Sequence, residues 1–306
     1  MKNFILCFHA AAFAAAFVLI ACDKEKPTAP METAPASSPA SVKPEQPKNA
    51  TVQASGSSAL QPLVNAAKEK FEAAHKEISV EVSAGGSKKG LADVASGAVQ
   101  IGDSDIFAPE DLKAQLVDHK VAVVGFAAMA NKGPFNEKVA ALSLPEMAKI
   151  FMGTITNWKD VGGQNQAIVV INRAPNSGTR AVFGNIVLGG DKFIESQTED
   201  NSGALVAKLK QTKGAITYMA LSFADPEFQV FALKSDAAAV KPEPTSITAG
   251  KYPIWSYEHM YTKGEPAGAA KEFLDYMLSA AFQEQVLPTV KGFIPVTQMK
   301  VSRAKD

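Results

Sequence analysis

From Val121 to Met129 the chain carries no charged or polar side chain. A strand with one face in water alternates apolar and polar residues. A run without that alternation reads as a strand covered on both faces, which belongs in the middle of a sheet flanked by helices. Stretches on either side alternate between strand and helix periods, so the expected fold class is α/β with mainly parallel pairing.

The strand expectations are Thr51–Ala54, Ile78–Val82, Val99–Ile101, Val121–Met129, Ile168–Ile171, Ala215–Met219 and Pro253–Tyr261. Leu60, Leu63, Val64, Ala67 and Phe71 recur at helical spacing. Further helices are expected around Leu91–Ala95, over Leu144–Phe151 and over Thr179–Leu188. Near the end, Phe273, Leu274, Met277, Leu278, Ala281, Phe282 and Val286 share one apolar stripe of a last helix. Met260-Tyr261-Thr262-Lys263-Gly264 echoes Met129-Ala130-Asn131-Lys132-Gly133. The echo is too short for a repeat and suits two strands lying side by side. If the chain crosses to a second lobe and returns, residues 51–130 and 250–306 form lobe I, and residues 131–249 form lobe II.

The first residues read as an export signal. Lys2 precedes an apolar run from Phe4 to Ile20 that ends in Leu19-Ile20-Ala21-Cys22. This ending resembles a bacterial lipobox, which makes residues 1–21 a lipoprotein signal peptide and Cys22 the lipidated new N-terminus. The alternative is a single transmembrane anchor, for which the run is slightly short. Removal of Met1–Ala21 takes away only Lys2 among charged residues, so 31 basic and 31 acidic residues become a net charge of −1. Cys22 is then the only cysteine, which leaves no disulfide and no thiol nucleophile. Residues 22–50 carry the lipidated Cys and a tether rich in Pro, Ala and Ser, too polar to fold alone. Extended, the tether reaches about 80–90 Å, at about 3.1 Å per residue. The expected location is outside the cell membrane, lipid-anchored and facing the periplasm or cell exterior. Asp23 resembles an inner-membrane retention signal of some Gram-negative bacteria.

A neutral chain has no basic excess for nucleic acid, so an anion site must be built locally. Four segments place small hydroxyl or Gly residues just before an expected helix: Gly56-Ser57-Ser58, Gly85-Gly86-Ser87, Ser104-Asp105 and Asn176-Ser177-Gly178-Thr179. Helix N-termini offer free N–H groups and partial positive charge, an arrangement that binds phosphate-like anions. Arg173 stands four residues before Ser177 and brings a guanidinium able to grip two oxygens at once. Each segment alone also reads as an ordinary cap or turn. All four fall beyond carboxyl ends of strands, where open α/β sheets hold ligands.

With these segments in order, the chain resembles the phosphate-specific substrate-binding proteins of bacterial ABC transporters. The first loop resembles Ser55-Gly56-Ser57-Ser58-Ala59-Leu60-Gln61-Pro62, the second Gly85-Gly86-Ser87-Lys88-Lys89-Gly90, and the third Ile101-Gly102-Asp103-Ser104-Asp105. Ile150 to Gly163, reading IFMGTITNWKDVGG, and Arg173-Ala174-Pro175-Asn176-Ser177-Gly178-Thr179 complete the series. Ala59 departs from the aromatic residue of some relatives, and Lys88 and Lys89 are less usual beside the second loop.

The resemblance implies a two-lobed periplasmic-binding-protein-like fold, type II, with a ligand cleft between lobes. It implies inorganic phosphate held by the Ser58 hydroxyl, the Ala59 N–H, the Ser87 hydroxyl, Arg173, and groups of Ser177, Gly178 and Thr179. Asp105 would accept a hydrogen bond from a protonated phosphate oxygen. A carboxylate there works against sulfate, a dianion with no proton to donate; phosphate keeps a proton near neutral pH. The implied mechanism is hinge closure over the anion and delivery to a permease, by a monomer without cofactor.

An enzyme is the first alternative. His9, His75, His119 and His259 show no metal-ligand spacing, Ser177 lies outside a Gly-x-Ser-x-Gly elbow, and no P-loop pattern occurs. The remaining alternatives are another tetrahedral oxyanion, such as sulfate or molybdate, and a phosphate-sensing role without transport. Trp158, Trp255 and Tyr257 are expected in packing, because a small anion offers no face to stack on.

Overall fold

The computed structural model describes residues 49–304. The signal peptide, Cys22 and all but the last two residues of the tether lie outside the described residues. Among the described residues, no helix is long and apolar enough to cross a membrane.

The apolar run forms the middle of one long strand, Leu116–Asn131, buried throughout from Val121 to Ala130. Its first part pairs antiparallel with the strand Trp255–Lys263, from Lys263↔Leu116 to Trp255↔Gly125. Its second part pairs antiparallel with Ala215–Ala220, starting at Phe126↔Ala220, and with Phe228–Val230. One strand therefore belongs to two sheets, and the change of partners falls between Gly125 and Phe126. The Phe126 N–H donates to the Ile254 carbonyl at 2.8 Å, so the returning chain touches the outgoing one at that point.

The fold is α/β and two-lobed, with mixed sheets. In the first sheet, Ala50–Gly56 lies parallel between Ile78–Ala84 and Ile101–Ser104, and Trp255–Lys263 joins this group to the long strand. Helices Gln61–Ala74 and Ser87–Ser96 connect the parallel strands. The first has Pro62 in its first turn, where the missing N–H costs nothing, and buries Leu63, Val64, Ala67 and Phe71. Phe71 meets Phe273 edge-on at 5.2 Å. In the second sheet, Val169–Arg173 lies parallel between Gln197–Glu199 and Ala215–Ala220. Around it pack Leu144–Phe151, started by a Ser143/Glu146 capping box, and Ser202–Gln211. Trp158 is buried, stacked on Phe231 at 5.7 Å, with its indole N–H on the Gly214 carbonyl at 3.0 Å. Trp255 and Tyr257 are also buried and meet edge-on at 5.4 Å, in line with packing roles.

Several boundaries differ from expectation. The third strand is Ile101–Ser104, because Val99 and Gln100 form a bend. Ser104-Asp105 does not precede a helix directly; the next one, Glu110–Lys113, begins only after Pro109. Thr179–Leu188 divides into an α-helix, Gly178–Phe183, and a wider π-helical turn, Gly184–Leu188. The last stripe is also interrupted: Gly268–Leu278 ends at Ser279, which is extended (ψ 149°), and a π-helical turn spans Phe282–Val286. The interruption leaves Leu278 exposed, while Phe282 still reaches the core. The two echoing strand ends are not neighbours, since Lys263 pairs with Leu116 at the far end of the long strand.

Candidate anion-binding site

The eight residues singled out in the sequence are all buried, and hydrogen bonds join their loops: Arg173 to Ser58, Asp105 to Ser87, and Thr179 to Asp105. The first loop starts at Gly56, whose φ of +136° and close approach exclude a side chain: a Cβ would lie 2.1 Å from the Asp103 carbonyl. The Ser57 N–H donates to that same carbonyl at 2.9 Å. The Ser57 hydroxyl accepts from the N–H groups of Ala59 (3.0 Å) and Leu60 (3.2 Å) and donates to the Asp105 carboxylate. The Ala59 N–H is thus turned toward Ser57. The next hydroxyl, Ser58, accepts from Arg173 Nη2 and from the Ser202 N–H, both at 3.1 Å.

Asp105, just after the strand Ile101–Ser104 of the first sheet, meets the loop that follows Val169–Arg173 of the second. Its Oδ2 accepts from Thr179 Oγ1 at 2.8 Å, while Ser57 from the other side of the cleft holds Oδ1. Its N–H donates to Ser87 Oγ at 2.9 Å, and its carbonyl accepts from Ser256 Oγ at 2.5 Å. The residue is therefore fixed from four directions. Gly178 lies against this group: a Cβ there would come within 2.2 Å of Ser87 Oγ and 2.9 Å of Asp105 Cβ. Ser177 caps the helix Gly178–Phe183 by accepting from the Arg180 N–H at 3.2 Å. A hydroxyl that accepts in this way keeps its own proton free to donate.

Arg173 closes the strand Val169–Arg173 and is 1% exposed. Its N–H donates to the Tyr218 hydroxyl at 3.2 Å, whose pKa burial pushes up to about 12. Tyr218 stacks on Phe183 at 4.6 Å, so an aromatic wall supports the guanidinium's backbone. The guanidinium itself reaches two hydroxyls, Ser58 at 3.1 Å and Ser202 at 3.3 Å. Its Nε–H has no acceptor among the described residues. Burial holds the Arg173 pKa below its ordinary value, and the Asp105 charge opposes that shift. A buried cation whose direct partners are neutral hydroxyls, with one donor left over, is a site for an anion's oxygens.

Sequence reasoning missed Ser202 and Ser256 and did not single out Ser57 from its segment. Ser202 was legible in principle, since Asp200-Asn201-Ser202-Gly203 repeats the pattern of small polar residues before a helix. Ser256 sits inside a buried strand and gives no such signal. Lys88 and Lys89 face solvent, with Lys89 paired to Asp93.

Three comparisons bear on this arrangement. The family described as the PBP superfamily domain matches residues 41–281. The phosphate-binding protein PstS of Bacillus subtilis is 48% identical over 267 residues, covering 86% of each chain. A Clostridium perfringens substrate-binding protein assigned to phosphate ABC transport, crystallised with bound phosphate, superposes with a TM-score of 0.74 at 28% identity. That match covers 80% of this chain and 99% of the other. An ABC-type phosphate transport receptor from Vibrio cholerae shares the fold, with a TM-score of 0.63 at 23% identity over 79% and 99% of the two chains. The chain belongs to the PBP superfamily, in the family of the bacterial PstS proteins.

Proposed function

We propose that this chain binds inorganic phosphate between its two lobes and delivers it to an ABC transporter permease for import. The observation that carries this reading is the buried Arg173 guanidinium within the field of Asp105, its Nε–H without an acceptor among the described residues. Cation and hydroxyls together suit a tetrahedral oxyanion. The carboxylate, already accepting two hydroxyl protons, suits an oxyanion that brings a proton of its own. Phosphate does so near neutral pH and sulfate does not. The phosphate-binding relatives named above support the same choice.

In this reading Ser58, Ala59, Ser87 and Asp105 bind from the lobe built on the first sheet. Arg173, Ser177, Gly178 and Thr179 bind from the lobe built on the second. The Ala59 N–H turns from Ser57 to the anion when the site is filled. The anion is held better with the lobes closed than apart, and that difference in affinity drives closure. The protein acts by binding and not by catalysis, as a monomer, exported and held to the membrane through a lipid on Cys22. The tether lets the folded part reach its permease.

Calorimetric titration of the full chain with phosphate and then sulfate tests this. Phosphate is expected to bind at micromolar or tighter affinity and sulfate far more weakly. In Asp105→Asn the gap between the two anions is expected to narrow. No phosphate binding by folded, ligand-free protein would refute the reading. An unchanged affinity ratio in the variant would remove Asp105 from its role.

A further inference from the structure

Two of the anion-site loops also grip each other, away from the anion. Gly85-Gly86 leads into the helix Ser87–Ser96, and Asn176 precedes Ser177 on the opposite lobe. An α-helix starts with N–H groups that its own turns cannot satisfy. Most helices cap them with a Ser, Thr, Asp or Asn side chain. Here the N-cap residue is Gly86, and the helix has no side-chain cap. The Lys88 N–H instead donates to the backbone carbonyl of Asn176 at 3.1 Å. In return, Asn176 Nδ2 donates to the Gly85 carbonyl at 2.6 Å. The loops can come this close because Gly86 has no side chain: at its φ of +83°, a Cβ would lie 2.6 Å from the Asn176 carbonyl. The loop is held from its own side by the N–H groups of Gly85 and Gly86, both on the Gly56 carbonyl at 2.9 Å.

We infer that Asn176 is a closure-positioning residue, which caps the helix Ser87–Ser96 from the opposite lobe and thereby sets how long the closed, anion-holding state lasts. The inference rests on the phosphate-closure reading above. Among the described residues, the hydrogen bond that the Asn176 side chain makes is the one to the Gly85 carbonyl. Opening the lobes breaks both hydrogen bonds and strips the helix of its cap; closing restores them. An anion arriving at the open form does not meet this latch, so the latch acts on release and not on capture.

Stopped-flow kinetics of the full chain with inorganic phosphate tests the inference in Asn176→Ala and Gly86→Ala. Both variants are expected to release phosphate about five- to tenfold faster, with the association rate unchanged. Release at the wild-type rate in both variants, or a change confined to association, would overturn it. Amide hydrogen exchange reads the cap without any ligand: the Lys88 amide is expected to exchange faster in Gly86→Ala, whose Cβ would push the Asn176 carbonyl away, than in wild type. Equal exchange would also overturn it. Failure of the wild-type chain to bind phosphate counts against the parent reading alone, because the exchange comparison still stands.

Discussion

Asp103 and Asp105 lie two residues apart, are both buried, and have opposite surroundings. Asp105 is held by the hydroxyls of Ser57 and Thr179. Neither carboxyl oxygen of Asp103 has a hydrogen-bond partner among the described residues. Burial, and then the neighbouring Asp105 charge, push the Asp103 pKa well above its ordinary value of 3.8. Between the unfolded and folded values, the folded chain keeps a proton that the unfolded chain has lost. The stability tied to this group is thus fully present below about pH 4 and drains away as pH rises toward the folded value. Asp103→Asn cannot titrate, so the variant is expected to gain on wild type as pH rises above about 4, by up to ~1.4 kcal/mol per pH unit. Urea unfolding at several pH values measures this, and a stability difference that does not move with pH would contradict it. At the scale of single residues the sequence marks Arg173 and Asp105 as charges of one candidate site, and both are buried. It was a poor guide to Asp103, whose isolation depends on strands far apart in the chain. Ser202 carries the same small-polar pattern as the four segments, but only the fold brings it to Arg173.

Among the elements, the helix Gly178–Phe183 sets local preference against assembly. Inside a helix, Ala is favoured over Gly by about 1 kcal/mol. At Gly178, however, a Cβ would strike Ser87 Oγ at 2.2 Å, and Ser87 starts the helix that follows Ile78–Ala84 of the first sheet. Gly178→Ala is therefore expected to keep or slightly raise the melting temperature of ligand-free protein while weakening phosphate binding about 100-fold or more. Thermal melts with parallel titrations check both halves; binding within a few-fold of wild type would show that the contact gives way. The turns were legible because glycine and serine clustered at a strand end mark a tight change of chain direction. The break at Ser279 was not, because the apolar stripe runs straight across it and Phe282 stays buried on the far side.

For the molecule as a whole, the α/β class followed from the alternation of periods and from the apolar run. The run's double membership did not, since nothing in a uniform apolar stretch marks where its partners change. If phosphate draws the lobes together, small-angle X-ray scattering of ligand-free and phosphate-saturated protein should show a smaller radius of gyration with phosphate. Identical curves would mean that the lobes keep one arrangement throughout. The size of that motion has a natural limit. Between Gly125 and Phe126 the strand Leu116–Asn131 passes from one sheet to the other without a break, and Phe126 is bonded there to Ile254 of the returning chain. A hinge made of loop swings freely, whereas this one is an axle clamped on both sides. Rotating the lobes must twist a ribbon whose peptide groups stay pinned to their neighbours, so the motion is expected to be a small elastic wind with a restoring force.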